Sequence, residues 1–242
     1  MSSSAPRFPA TRLSVLIDAR DSDPAVRARS LEILAQGYWG PVYKHVRLRW
    51  RKSEAEAEEL TQGFFAAAIE RSFFASYDPQ KGRFRTFVRV CVDRFVADDQ
   101  KAERRLKRGG GWKPVSFDAE AAEAELSLVA PDADPDAVFE RELKKALFKL
   151  ALISLRAELT ARGQLRHLEA FERYDLAGEE ERPSYDELAK VLGVKVTDVT
   201  YSLHFARSAF RRHVQERLRE LTISEEEYET EATALGLGPS RP

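Results

Sequence analysis

The chain has 242 residues, 43% of them apolar and 33% charged, with 12 Gly, 11 Pro and a net charge of −1. That composition fills two modest cores and excludes a disordered, collagen-like or loop-dominated all-β protein. The single cysteine, Cys91, cannot form an intramolecular disulfide, and His45, His167, His204 and His213 are too scattered for a zinc site. No metal or cofactor is therefore expected, and the compartment reads as reducing cytoplasm. The N-terminus has no apolar core of a signal peptide and no apolar run reaches about eighteen residues, so neither export nor a membrane partner is expected.

In chain order, residues 1–11 read as a disordered N-terminus. Trp39, Tyr43, Val46 and Trp50 recur on one stripe of a helix predicted to begin near Pro41 or just before it. A second helix is predicted from about Glu54 to Arg71, with Leu60, Phe64, Ala67 and Phe74 near one face, and the turn chemistry of 76–82 breaks it. Phe84, Phe87, Val88, Cys91 and Phe95 then mark a long third helix that leaves Arg85, Arg89, Lys101 and Arg104 off its buried face, until Gly109, Gly110 and Gly111 end it. These elements make a first domain over 12–111.

Charge is segregated along the chain. From Arg83 to Arg108 nine basic residues face four acids, whereas Phe117 to Asp136 holds seven acids and no base, and the tail adds Glu225, Glu226, Glu227, Glu229 and Glu231. Pro114, Pro131 and Pro135 with that single-sign run predict an extended acidic linker over 112–136. Helices are predicted from Val138 to Leu159 and from Gln164 to Leu176, within a second domain over 137–221 followed by an acidic tail over 222–242. Ser184 and Glu187 form a capping box, and Leu188, Ala189, Leu192, Gly193, Val194, Val199 and Leu203 have the pattern of a helix-turn-helix. The fold class is thus all-α, two helical domains joined by an acidic linker.

A helix-turn-helix followed by Arg207, Arg211, Arg212 and His213 is suited to duplex DNA, since the second helix fits the major groove and later cations meet phosphates. The alternative is a helical hairpin in an ordinary bundle. The basic helix from Arg83 reads as a phosphate binder whose aromatics belong to the core stripe. An enzyme is not expected, because the acids fall on helix faces and in the linker without a histidine partner.

Three stretches resemble the sigma factors of bacterial RNA polymerase, in particular the extracytoplasmic-function (ECF) branch. Ala57-Glu58-Glu59-Leu60-Thr61-Gln62-Gly63-Phe64-Phe65 is similar to the polymerase-docking helix, and Tyr77-Asp78-Pro79 through Lys81-Gly82-Arg83-Phe84-Arg85-Thr86-Phe87 to the start of the promoter-melting helix. Pro183 through Leu188-Ala189, Leu192-Gly193-Val194 and Leu203 to Arg207 is similar to the C-terminal helix-turn-helix.

The resemblance implies a transcription initiation factor whose partners are core RNA polymerase, through the β′ clamp coiled coil and the β flap, and promoter DNA. An anti-sigma factor or other regulator is a further partner it allows, and the free chain is expected to be a monomer. Polymerase contacts would come from Glu58, Glu59, Leu60, Gln62 and Phe64. Minus-ten contacts would come from Arg83, Arg85, Phe87, Arg89, Arg94, Asp98, Lys101, Arg104 and Arg105. Minus-thirty-five contacts would come from Lys195, Thr197, Thr200, Tyr201, His204, Arg207, Arg211 and Arg212, and the acidic linker would thread toward the RNA exit path. Gly63 stands where the docking helix usually has an acid, Phe87 replaces a tryptophan and Arg94 an asparagine, while Thr200-Tyr201-Ser202 and Phe205 replace a more basic recognition surface. A DNA-binding regulator that never engages polymerase is the competing reading.

Overall fold

Residues 24–70, 73–103, 119–130, 132–222 and 224–237 are described by a computed structural model, and among them there are nine α-helices and no strand. In chain order these are α1 (Pro24–Arg49), α2 (Glu54–Glu70), α3 (Phe84–Glu103), α4 (Ala119–Leu126), α5 (Pro135–Ala161), α6 (Leu165–Asp175), α7 (Tyr185–Leu192), α8 (Val196–Leu221) and α9 (Glu225–Ala234), with 3-10 turns at Phe73–Ser76 and Pro79–Lys81. The described chain divides into two compact units: one runs through Ala146 and takes in the chain again from Leu218, and the other is Leu147–Arg217.

The first unit is built around α1, which packs most extensively on α2. Contrary to the expected start near Pro41, α1 begins at Pro24 and carries Pro41 inside it. Leu34, Tyr38, Val42 and Val46 are all buried along one stripe, and that burial holds the helix through the proline, whose ring would otherwise break it against the carbonyl four residues back. That preceding residue is Gly37, against which the Leu221 side chain packs so closely that a Cβ there would lie 3.2 Å from it.

Phe84, at the first turn of α3, is the aromatic hub of this unit. Its ring meets Tyr38 at 5.9 Å, Phe74 at 5.6 Å and Tyr77 at 5.2 Å, in the tilted and edge-on arrangements that suit ring quadrupoles. Phe84, Val88, Val92 and Val96 form the fully buried line of α3, and Phe87, Cys91 and Phe95 flank it half-buried. Burial pushes the Cys91 thiol up to about 11.

The linker differs from the extended segment that its charge suggested. Residues 119–126, Ala-Glu-Ala-Ala-Glu-Ala-Glu-Leu, form α4, because alanine and glutamate are strong helix formers whose propensity outweighs like-charge repulsion once cations face them. Those cations are on α1. Arg47 donates to both oxygens of Glu123 (2.6 and 2.7 Å), the Tyr43 hydroxyl donates to Glu123 at 2.7 Å, and buried Lys44 bridges Glu125 (2.6 Å) and Glu142 (2.7 Å). The Arg47 hydrogen bond holds the Glu123 carboxyl below the usual range against the opposing effect of burial.

The C-terminal tail is likewise folded where described. Ser224 caps α9 by accepting from the Glu227 N–H at 3.1 Å, the three acids of the first turn suit the positive end of the helix dipole, and Tyr228, Ala232 and Leu237 are buried in the first unit.

In the second unit, Leu155, Leu159, Leu168, Phe171, Ala206 and Ala209 form one cluster, and Ala170, Leu188, Ala189, Val199 and Leu203 another. Together they fix α7 and α8 on α5 and α6. The division between the units falls within α5 and α8.

Candidate polymerase and nucleic-acid surfaces

Three surfaces carry the residues that the sequence singles out. On α2, Glu59 is exposed and Glu58 half-exposed, accepting a hydrogen bond from Gln62 at 3.1 Å. Leu60 and Phe64 are buried, Phe64 completely. Their assignment as contact residues is therefore corrected: their apolar side chains hold α2 against its own unit, and the accessible candidates on this helix are Glu58, Glu59 and Gln62. Gly63 has a packing reason of its own. The Phe95 ring of α3 lies over it, so that a Cβ at position 63 would come within 3.2 Å of the ring edge. An acid at this position would face α3 instead of projecting outward.

Around the start of α3, Arg83, Arg85 and Arg89 are each paired with a carboxylate. Arg85 pairs with Glu140 at 2.8 Å and with Glu231 at 2.5 Å, Arg89 pairs with Asp136 at 3.2 Å and lies over the Phe139 ring, and Arg83 Nη1 stands 3.1 Å from Glu231. Phe87 is half-buried against Tyr77 and Phe84. The Tyr77 hydroxyl, raised to about 12 by burial and then by the Glu227 charge, donates to the Gly82 carbonyl at 2.7 Å and pins the turn before α3.

Further along α3, Arg94 and Asp98 are exposed and Lys101 lies in the last turn, while Arg104 and Arg105 lie outside the described residues. Arg94 and Arg49 line a cleft of about 390 Å³ together with Trp50, Val90, Asp93 and Ala97. Asp93 accepts from Trp50 Nε1 at 2.8 Å and from His45 Nε2 at 2.9 Å. Burial pushes its carboxyl up, but these bonds outweigh burial and hold it below the usual range. Sequence reasoning assigned Trp50 to the core stripe and missed the cleft, because the helical spacing that groups Trp50 with Trp39 does not show that α1 ends beside it.

α7 is capped at both ends and followed after Gly193 by α8. The Ser184 N–H donates to Glu187 at 2.7 Å and Ser184 Oγ accepts from the Glu187 N–H, closing the capping box at the start of α7. Gly193 ends α7 in the left-handed region (φ 64°), with its N–H directed to Lys190 and that of Val194 to Ala189, so both terminal carbonyls are satisfied. Asp198 then accepts from the Lys195 N–H at 3.2 Å at the start of α8.

Thr197, Thr200, Tyr201 and His204 follow the i, i+3, i+4, i+7 spacing and are all exposed, with Lys195 exposed just before them. Ser202 is buried and lies 3.0 Å from His167 Nδ1, and Phe205 packs on the His167 ring at 4.7 Å. Burial, with a smaller effect from Arg166, lowers the His167 pKa. Positions 202 and 205 thus face inward, and the missing positive charge there reflects packing. Arg207 makes a bidentate pair with Asp175 and lies over the Tyr174 ring, and Arg212 pairs with Glu158 at 2.7 Å beside His213. Arg211 is exposed on the same side of α8.

No group of His, Cys, Asp and Glu side chains among the described residues is arranged to hold a metal ion, and no helix among them is long and apolar enough to cross a membrane. A protein-family model described as ECF sigma factor matches residues 42–216, more than half of the chain and including all three surfaces. Comparison with curated proteins and with solved structures finds no match.

Proposed function

The chain belongs to the ECF sigma factor family, and from that premise we propose that promoter recognition is divided between its two units. Membership makes it a transcription initiation factor that binds core RNA polymerase and promoter DNA. In the division proposed, Glu58, Glu59 and Gln62 on α2 meet the β′ clamp coiled coil. The cations of α3, from Arg83 through Arg94 and Lys101 and on to Arg104 and Arg105, hold the opened minus-ten strand by its phosphates. The helix-turn-helix sits at the β flap and enters the major groove of the minus-thirty-five element. Lys195, Thr197, Thr200, Tyr201 and His204 then face base edges, and Arg207, Arg211 and Arg212 face phosphates.

The observation that carries this reading is the exposed row Thr197, Thr200, Tyr201 and His204 on the first two turns of α8, behind a capped and glycine-turned α7. That row offers hydrogen-bonding groups where a recognition helix needs them. Transcription from genomic promoter fragments by purified core polymerase tests it. Adding this chain should produce transcripts from defined start sites, and start sites that are the same with and without it would refute the reading.

A further inference from the structure

The acidic C-terminal helix α9 meets the start of α3 through two of its carboxylates. Glu227 Oε1 accepts from the Phe84 backbone N–H at 3.1 Å, capping the first turn of α3, and Glu231, 7% exposed, sits between Arg83 and Arg85. A helix N-terminus flanked by two arginines is a phosphate-binding arrangement, and here two carboxylates fill it. The helix is anchored from its other side: Tyr228, Ala232 and Leu237 are buried, and the Arg219 guanidinium lies 3.8 Å from the centre of the Tyr228 ring. On the outer face, Glu226 and Glu229 are exposed. Of the five acids of α9, Glu227 and Glu231 engage the start of α3, Glu225 pairs with Arg219 at 3.3 Å, and Glu226 and Glu229 form an outer pair equal in charge to the first.

We infer that α9 is an intramolecular mimic of nucleic-acid phosphate that covers the start of α3 and must be displaced before Arg83, Arg85 and the Phe84 N–H can engage a DNA strand. This inference rests on the assignment of α3 to strand binding made above. Glu140 and Asp136 stay with Arg85 and Arg89 when α9 leaves, so the release concerns chiefly Arg83, the helix start and one of the two partners of Arg85. Competition of this kind makes free protein a weak binder of DNA. A partner that draws α9 away would then switch it on.

The test compares full-length chains binding a labelled single-stranded oligodeoxynucleotide of mixed sequence across a salt series. The double variant Glu227→Gln, Glu231→Gln should bind roughly threefold or more tightly than the parent, with a salt dependence steeper by about one, whereas Glu226→Gln, Glu229→Gln, which removes the same charge, should change affinity much less. Equal gains in the two variants would reduce the effect to net charge and overturn the inference. Adding Arg83→Ala and Arg85→Ala to the Glu227, Glu231 variant should abolish the gain. If those arginine changes left a gain intact, the assignment of α3 to strand binding would fall and the inference with it. If they weakened binding in the parent while the glutamate variants matched it, α3 would remain the binding helix and only the masking would be refuted. Hydrogen exchange on the unmodified chain provides a check that does not depend on any variant folding. Saturating oligonucleotide should speed exchange of the 225–234 amides, and unchanged or greater protection there would refute displacement.

Discussion

The basic faces of α3 and α8, both proposed above to bind DNA, are built in opposite ways. On α3 the cations come first: Arg83, Arg85 and Arg89 gather around the helix start and are matched by carboxylates from segments far along the chain, Asp136, Glu140 and Glu231. On α8 the uncharged polar row comes first, and the arginines follow, held by carboxylates of neighbouring helices, Asp175 and Glu158. A helix that grips any sequence by its backbone needs charge at the point of contact and a means of controlling it. A helix that reads sequence needs neutral groups at the base edges and charge at the margins.

The largest expected effect breaks the α3 side of this contrast. Phe84→Ala removes the ring on which Tyr38, Phe74 and Tyr77 converge and should cost about 3–5 kcal/mol by chemical denaturation, as for other buried aromatic truncations. A loss below about 1 kcal/mol would show that the aromatic cluster does not position α3.

The α8 side is sharpened by separating readers from clamps. Tyr201→Ala or His204→Ala should relax preference at one or two base pairs by roughly 1–3 kcal/mol with little change in salt slope, whereas Arg211→Ala or Arg212→Ala should weaken binding to all sequences and lower the slope by about one. Salt titrations on matched and scrambled promoter duplexes distinguish these outcomes, and the reverse pattern would exchange the two roles.

A smaller effect is expected at the frame that presents the α8 row. Ser184→Ala should lower stability by about 1 kcal/mol in thermal or urea unfolding, through loss of the cap, without altering base preference.

The smallest concerns the folded linker. The pKa of Glu123 is depressed in the folded state, so its pairing with Arg47 contributes fully above the ordinary carboxylate value of about 4.3 and is lost as pH falls through the lowered one. Backbone amide resonances of α4 should therefore shift on acidification below about pH 4, and Glu123→Gln should shift the same resonances at neutral pH. Resonances that do not respond to either change would show that α4 is held by other contacts.

Local signals made the second unit readable. Ser184 with Glu187, Gly193 and the apolar spacing through Leu203 specify caps, turn and core within about twenty residues, and each acts over a single helical turn. The long helix at 54–70 followed from apolar spacing, and the one at 135–161, expected over Val138 to Leu159, from its content of strong helix formers. What was not readable depends on pairing across the chain. Charge and proline content pointed to an extended linker, while the α4 fold depends on Lys44 and Arg47 some eighty residues earlier. The position of α9 depends on Glu227 and Glu231 meeting the start of α3 more than 140 residues away, and a run of glutamates carries no mark of its partner. At the candidate sites, sequence singled out Thr197, Thr200, Tyr201 and His204, all exposed on α8, but it could not separate Leu60 and Phe64, which are core, from their exposed neighbours on α2.

Tethered cleavage of promoter DNA in the polymerase complex tests most directly the proposed division of promoter contacts between α3 and α8. Cys91 is half-buried with a raised thiol pKa, so an introduced cysteine can be labelled selectively with an iron chelate. With the label at Arg94→Cys, strand breaks should cluster at the minus-ten element, and with the label at Tyr201→Cys they should cluster at the minus-thirty-five element. Breaks in the same element from both positions, or none upstream from position 201, would contradict the division.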